Sequence, residues 1–191
     1  MRGSPAAAGR RSNLDGIATV ACGNLAMTRG GMIKIGILTC SDKGSKGERT
    51  DTSGPTIKEM VEKINGRILK YEIVPDDKKI ISEKLKKWSD ELKLDLIFTT
   101  GGTGFASRDG TPEATEEVID RKVPGFSEIM RIEGFKNTKH SILSRGISGL
   151  RKKTLIINLP GSEKAVRENL KIILPSIPHA IEIIHNKTEH K

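Results

Sequence analysis

The sequence predicts an α/β domain with a mostly parallel central sheet covered by helices on both faces. Three observations carry this. Short apolar, β-rich runs recur along the chain, as in Ile33–Thr39, Leu94–Thr100 and Lys153–Leu159. Stretches with helical spacing of apolar residues lie between them. Polar, glycine- or proline-containing loops separate the two kinds of segment, the pattern of crossover units that build a parallel sheet.

Each element has a local reason. Ile33–Thr39 is a continuous apolar run and reads as a buried strand. Cys40–Asp51 is polar and contains glycine, so it reads as a loop. Gly54-Pro55 opens a helix with Ile57, Met60, Val61 and Ile64 on one face, and Gly66 ends it. Arg67–Val74 is the second strand. A second amphipathic helix after Pro75-Asp76-Asp77 carries Ile80, Ile81, Leu85, Trp88 and Leu92, with Asp77 in its first turn. Leu94–Thr100 is the third strand. After a glycine-rich loop, Thr111 caps the next helix, with Pro112 at its first position and Glu113 as an early acid. Gly125–Phe135 forms another helix and Lys153–Leu159 a late strand. Ser162 caps the last helix, through Val166, Leu170 and Ile173, and Pro175 and Pro178 break it before Ile181–Ile184.

Composition bounds the function. The 191 residues fit one domain with an appendage, large enough for an ordinary core. The two cysteines, Cys22 and Cys40, form neither a disulfide framework nor a CxxC pair, which argues against structural zinc and fits a reducing, cytoplasmic setting. The apolar runs are far shorter than the ~20 residues of a membrane span. The formal charge of +9 favours anionic partners. Aromatics make up only 3 %, too few for a base-stacking surface, so nucleic acid is not the expected partner. Much of the lysine stands beside glutamate on helix faces, and a solvated surface accounts for it.

Residues 1–31 differ from the rest. They are rich in Arg, Ala, Gly and Ser, with Asp15 as the single acid, and the composition predicts disorder. An expression leader, an upstream translated stretch and a transit peptide compete as explanations. The first two are preferred, because the shift is abrupt and Met32 stands directly before the first strand. The folded domain is therefore read as 32–191.

Ligands of open parallel sheets bind beyond the carboxyl ends of the strands, at a switch in strand order. Four strand-end loops follow from this: Thr39–Gly44 with Ser41 and Asp42, Pro75-Asp76, Thr99–Asp109, and Asn158–Ser162 with Pro160 and Gly161. In the third, Gly101, Gly102 and Gly104 allow close backbone approach and positive φ, so successive N–H groups can cradle an anion. Thr99, Thr100 and Thr103 add hydroxyl donors. The loop matches neither GxxxxGK[ST] nor GxGxxG, and on its own the pattern is as compatible with a plain turn as with phosphate binding. Asp76 and Asp109 are the candidate carboxylates, and magnesium suits one or two carboxylates plus substrate phosphates. The structural alternatives are a helix cap for Asp76 and a turn residue before Gly110 for Asp109; Asp42 carries the same ambiguity. Arg145, beside Ser144, either clamps an anion or pairs with an acid. His140, His179, His185 and His190 read as surface or satisfied side chains, Cys40 as a buried small residue, and Trp88 as core.

The run Thr99–Thr115, TTGGTGFASRDGTPEAT, resembles the signature of the molybdopterin adenylyltransferase family, which includes bacterial enzymes and the plant and gephyrin G domains. The resemblance extends through Ile35–Thr39 with Ser41-Asp42, Val74–Asp76, Val123–Phe126 with Met130-Arg131, Leu143–Arg145 and Leu155–Ser162, covering essentially all of 32–185. It implies a three-layer αβα fold, usually trimeric, and magnesium-dependent transfer of AMP from ATP to the terminal phosphate of molybdopterin. It assigns the essential, metal-holding acids to Asp76 and Asp109 and the nucleotide loop to Gly101, Gly102 and Gly104. It assigns pterin-side contacts to Ser41, Asp42, Ser144 and the Asn158–Ser162 loop. Thr39, Thr100, Thr103 and Arg108 complete the binding set. Gly110 stands where the family often has valine and Ser107 where it often has proline. Arg108-Asp109 places the chain on the adenylylating side of the family rather than with a sister group that has Gly-Asp there.

The expected chemistry is nucleotidyl transfer by positioning and charge neutralisation, with Arg108 or Arg145 supplying positive charge. A phosphate nucleophile is already ionised at neutral pH and needs no strong base, which agrees with the lack of a Ser/His or Cys/His pair. A homotrimer and a metal-insertion partner protein complete the expectation. The alternative is a non-catalytic pterin- or nucleotide-binding module serving delivery or scaffolding.

Overall fold

The computed structural model describes residues 31–186. The reading of 1–31 as a disordered extension therefore falls, apart from Gly31, outside the described residues, as do Cys22 and His190.

Six strands form one sheet: β1 (Ile33–Cys40), β2 (Gly66–Val74), β3 (Leu96–Thr100), β4 (Arg121–Lys122), β5 (Ser148–Arg151) and β6 (Thr154–Leu159). Their order is β2-β1-β3-β6-β5-β4. The first four in that order are parallel, while β5 runs antiparallel to β6 and β4 antiparallel to β5. The chain leaves β1 for β2 on one side and then crosses to β3 on the other. The strand order thus reverses between β1 and β3, and a crevice opens at their carboxyl ends.

Alternation along the strands sorts the core into two layers. Ile33, Ile35 and Ile37 of β1 join Leu96, Phe98, Leu155 and Ile157 under α2 (Ser53–Val61), α5 (Gly125–Asn137), α6 (Glu163–Ile173) and α7 (Ile177–Ile184). Leu38 and Cys40 join Ile97 and Ile156 under α3 (Lys78–Asp90) and α4 (Thr111–Val118). The result is the αβα sandwich that the sequence predicts. Trp88 is core, 1 % exposed. A Cβ on Gly36 would sit 2.8 Å from its ring, so that strand position is glycine to admit the indole.

Local details depart from expectation in informative ways. Asp77, not Asp76, caps α3, accepting the Ile80 N–H at 3.0 Å. Gly110, not Thr111, is the cap residue of α4. Thr111 is instead its first helical residue, completely buried with its hydroxyl facing the glycine loop. Asn65, at φ 54°, supplies the left-handed turn that ends the segment before β2, and Gly66 already belongs to the strand. The loop after β1 contains one helical turn, α1 (Asp42–Ser45), capped by Ser41. Ser162 caps α6 as expected, and a 3-10 turn at Leu174–Ser176 separates α6 from α7. His185 closes the end of α7 against the sheet, its Nε2 2.9 Å from Asp95 Oδ1.

Candidate active site

The crevice between β1 and β3 is built around the glycine turn. Gly101 and Gly102 take φ values of 95° and 60°, accessible to few other residues. Close approach requires glycine as well. A Cβ on Gly101 would lie 2.3 Å from the Cys40 carbonyl oxygen. One on Gly102 would lie 2.4 Å from Thr111 Oγ1 and 2.9 Å from Asp76 Oδ1, and one on Gly104 2.8 Å from Asp109 Oδ2. The turn therefore runs between the two aspartates, touching one near Gly102 and the other near Gly104. Among the described residues, the N–H groups of Gly102, Thr103 and Gly104 have no protein acceptor.

Capping of α3 by Asp77 leaves the Asp76 side chain free to turn toward this loop. One oxygen, Oδ2, accepts the Asp42 N–H at 3.0 Å, and the Asp76 N–H returns a bond to Asp42 Oδ1 at 3.1 Å. The other, Oδ1, is buried without a partner. Burial pushes the Asp76 carboxyl above the usual carboxylate range. The amide of Asp42 opposes this, and the charges of Asp42 and Asp109 add to it. Asp109 accepts the Ala106 N–H at Oδ2, 3.0 Å, which closes the tip of its loop.

Both arginines expected to meet anions are engaged elsewhere. Arg108 forms a fork on Asp42, with Nε to Oδ2 at 3.1 Å and Nη2 to Oδ1 at 2.9 Å, and so ties the third loop to the first. Arg145 donates to the carbonyls of Gly104 (2.6 Å) and Asp109 (2.7 Å) and pairs with Glu113. It holds the shape of the glycine loop while paired with an acid.

Other predicted residues gather on the same end of the sheet. Thr100 Oγ1 donates to the Pro160 carbonyl at 2.7 Å, and Gly161 packs against Gly101, joining the third and fourth loops. Thr103 is buried. Ser144 Oγ accepts the Gly146 N–H at 3.3 Å. Asn158 lies deeper, 2 % exposed. Its amide donates to Thr99 and Thr115, and its carbonyl oxygen accepts the Ile147 N–H, so its side chain is committed to the scaffold. Burial pushes the Cys40 thiol up to about 12, against the opposing effect of Thr111, which leaves it inert as a nucleophile.

Asp51 is the residue that the sequence reading missed. Its Oδ2 accepts Thr39 Oγ1 at 2.6 Å and the Tyr71 hydroxyl at 2.7 Å, and its Oδ1 accepts the N–H groups of Ser53 and Gly54. Burial pushes its carboxyl up, but these four donors outweigh burial and hold it below the usual range. It clamps the start of α2 to β1 and β2. The one available signal was an acid two residues ahead of Ser53-Gly54-Pro55.

Three adjoining depressions result. The first, about 390 Å³, is walled by Thr39, Ser41, Arg49, Asp76, Gly102 and Ser162. The second, about 700 Å³, is walled by Asp76, Phe105, Arg108, Asp109 and Arg145. The third, about 250 Å³, is walled by Met130, Arg131, Ser144, Asn158, Pro160 and Ser162. Asp76 stands on the shared wall of the first two, and Ser162 on that of the first and third. Among the described residues no three His, Cys, Asp or Glu side chains are placed to hold a metal, and no helix is long and apolar enough to cross a membrane.

A doubly wound α/β domain with its clefts at the strand-order switch is a small-molecule-binding class of protein. Within that class the assignment is specific: residues 36–179 match the family described as probable molybdopterin binding domain, and the chain belongs to that family. It is 47 % identical over 154 residues to a Helicobacter pylori protein named molybdopterin adenylyltransferase, covering 80 % of this chain and 88 % of that one. It is 44 % identical to the Drosophila melanogaster molybdenum cofactor synthesis protein cinnamon, over 80 % of this chain and 26 % of that much longer one. Among solved structures, the molybdopterin biosynthesis enzyme MoaB of Thermus thermophilus superposes with a TM-score of 0.78 at 49 % identity, covering 81 % of this chain and 98 % of that one. The Mog protein of Mycobacterium ulcerans superposes with a TM-score of 0.76 at 34 % identity, covering 82 % and 99 %.

Proposed function

We propose that this chain is a nucleotidyltransferase of molybdenum-cofactor biosynthesis that moves AMP from ATP onto the terminal phosphate of molybdopterin. A phosphate oxygen of the pterin attacks the α-phosphorus, the bond to the β-phosphate breaks, and pyrophosphate leaves with the electron pair. The observation that carries the reading is Asp76, whose unpartnered buried oxygen stands between two clefts and beside a run of amides without a protein acceptor. The name of the Helicobacter pylori relative, molybdopterin adenylyltransferase, supports molybdopterin as the acceptor and an adenylyl group as what is moved.

The residues act by positioning. The amides of Gly102, Thr103 and Gly104 can donate to phosphate oxygens without reorganising, because Arg145 and the Asp109 loop fix the turn. Arg108 neutralises Asp42 and thereby limits the negative charge around Asp76. Magnesium would suit two acids that flank one glycine turn and do not enclose a metal alone, since its remaining ligands would be substrate phosphates and water. Asp76 and Asp109 would hold it. When bound it would screen the charge that develops on the departing pyrophosphate.

A homotrimer belongs to the same proposal. The exposed apolar face of Ile129, Ile132 and Phe135 on α5, with Ile142 and Leu143 beside it, is a surface that such an assembly could cover. Function in the cytoplasm and docking of a metal-inserting protein complete it. The test is to mix purified protein with ATP, magnesium and molybdopterin and measure pyrophosphate. Release that requires all three supports the proposal, whereas binding of both substrates without release reduces the chain to a binding module.

A further inference from the structure

The charge around the clefts is unevenly spent. In the second cleft every cation is paired: Arg108 with Asp42 (2.9 Å), Lys78 with Glu117 (3.2 Å) and Arg145 with Glu113. The first cleft is different. Its one cationic wall residue is Arg49, which is exposed and has no ion-pair partner among the described residues. Asp51 is close in sequence but is not its partner, because both carboxylate oxygens are filled by Thr39, Tyr71, Ser53 and Gly54. That clamp has a second effect. It anchors the chain two residues beyond Arg49 to β1 and β2, so the arginine is held at the rim of the cleft. The other acid on the wall is Asp76, whose unpartnered oxygen lies beside Gly102. A phosphate group in this cleft would meet Asp76 with no other side-chain cation to offset the repulsion.

We infer that Arg49 is the phosphate-contacting cation of the first cleft, holding a phosphomonoester or pyrophosphate group there by a charge-assisted fork. This rests on the nucleotidyl-transfer reading and adds to it the residue that receives the phosphate. It also explains why Arg108 and Arg145 can be given over to holding loops.

The full chain is titrated with inorganic pyrophosphate by calorimetry, with and without magnesium, as wild type, Arg49→Gln, Arg49→Lys and Arg67→Gln. Arg67 is exposed at the far end of β2 and serves as a charge-matched comparison. Arg49→Gln is expected to weaken pyrophosphate binding about tenfold. Arg49→Lys should recover part of the loss, and Arg67→Gln should behave as wild type. Raising salt to about 0.5 M should remove most of the difference between wild type and Arg49→Gln. In turnover, Arg49→Gln should raise KM for a phosphate substrate with kcat largely kept, as for a contact made equally in ground and transition states. Wild-type binding that Arg49→Gln matches within about twofold would overturn the role of Arg49 and leave the enzyme reading standing. A wild type that neither binds pyrophosphate nor releases it from ATP would overturn both.

Discussion

Replacing Asp76 by Asn should make the protein more stable while it stops the proposed reaction. Asp76 has one oxygen buried and unpartnered beside the charges of Asp42 and Asp109, and burial raises its carboxyl above the ordinary carboxylate range. Its folded-state pKa lies above the unfolded value. Protonation therefore favours the fold below the ordinary carboxylate range, and that contribution is lost as pH rises through the raised value. Above that value the ionised group works against folding. An unsatisfied buried acceptor costs about 1–3 kcal/mol, and partial exposure of Asp76 argues for the lower end, about 1 kcal/mol. Asn keeps the shape, can still accept the Asp42 N–H, and carries no charge. A gain of about 1 kcal/mol in a domain of this size raises Tm by about 2–4 °C. Thermal melts of both proteins at pH 7, 6, 5 and 4 would measure it. The gap should be widest at pH 7 and narrow as pH falls through the raised value, where the wild-type carboxyl takes up its proton. A variant that melts lower than wild type at pH 7, or a gap that does not change with pH, would refute the reasoning.

Three further outcomes follow from the geometry. Asn158→Ala removes three internal hydrogen bonds and should cost about 2–3 kcal/mol, lowering Tm by about 5–10 °C in thermal melts. Gly102→Ala meets both a left-handed backbone and two oxygens within 3 Å, so it should cost at least about 1–2 kcal/mol by denaturant titration and displace Asp76 or Thr111. Asp51→Asn should destabilise by about 1–2 kcal/mol at pH 7. Because the Asp51 pKa is depressed, its contribution is present above the unfolded value and fades as pH falls through the folded one, so urea titrations should show the two proteins converging in acid.

The layers of the fold were legible because β1, β3, β6 and the long helices each carry enough apolar residues to show a period. β4 and β5 were not. They have two and four residues, and their pairing is set by the adjacent strand, β5 on β6 and β4 on β5, rather than by a pattern of their own. The site was legible as a set of strand-end loops, since the switch point follows from topology. The choice between Asp76 and Asp77 as helix cap was not, because both follow Pro75 and only the backbone conformation at Asp77 decides it. Likewise Thr111 next to Pro112 looks like a cap until tertiary packing turns its hydroxyl toward Gly102. The partners of Arg108 and Arg145 lie 66 and 32 residues away, beyond any local pattern. Asp51 was hidden for the same reason: two of its four donors, Thr39 and Tyr71, come from separate strands.

The most direct test follows the α-phosphate itself. Wild type and Asp109→Asn are given ATP labelled at that phosphate, with magnesium and molybdopterin, and label on the pterin is measured under single-turnover conditions. Transfer by wild type, and a rate at least about 100-fold lower in a normally folded Asp109→Asn, is the predicted result. Label that never leaves ATP in the wild type, or equal rates in the two proteins, would contradict it.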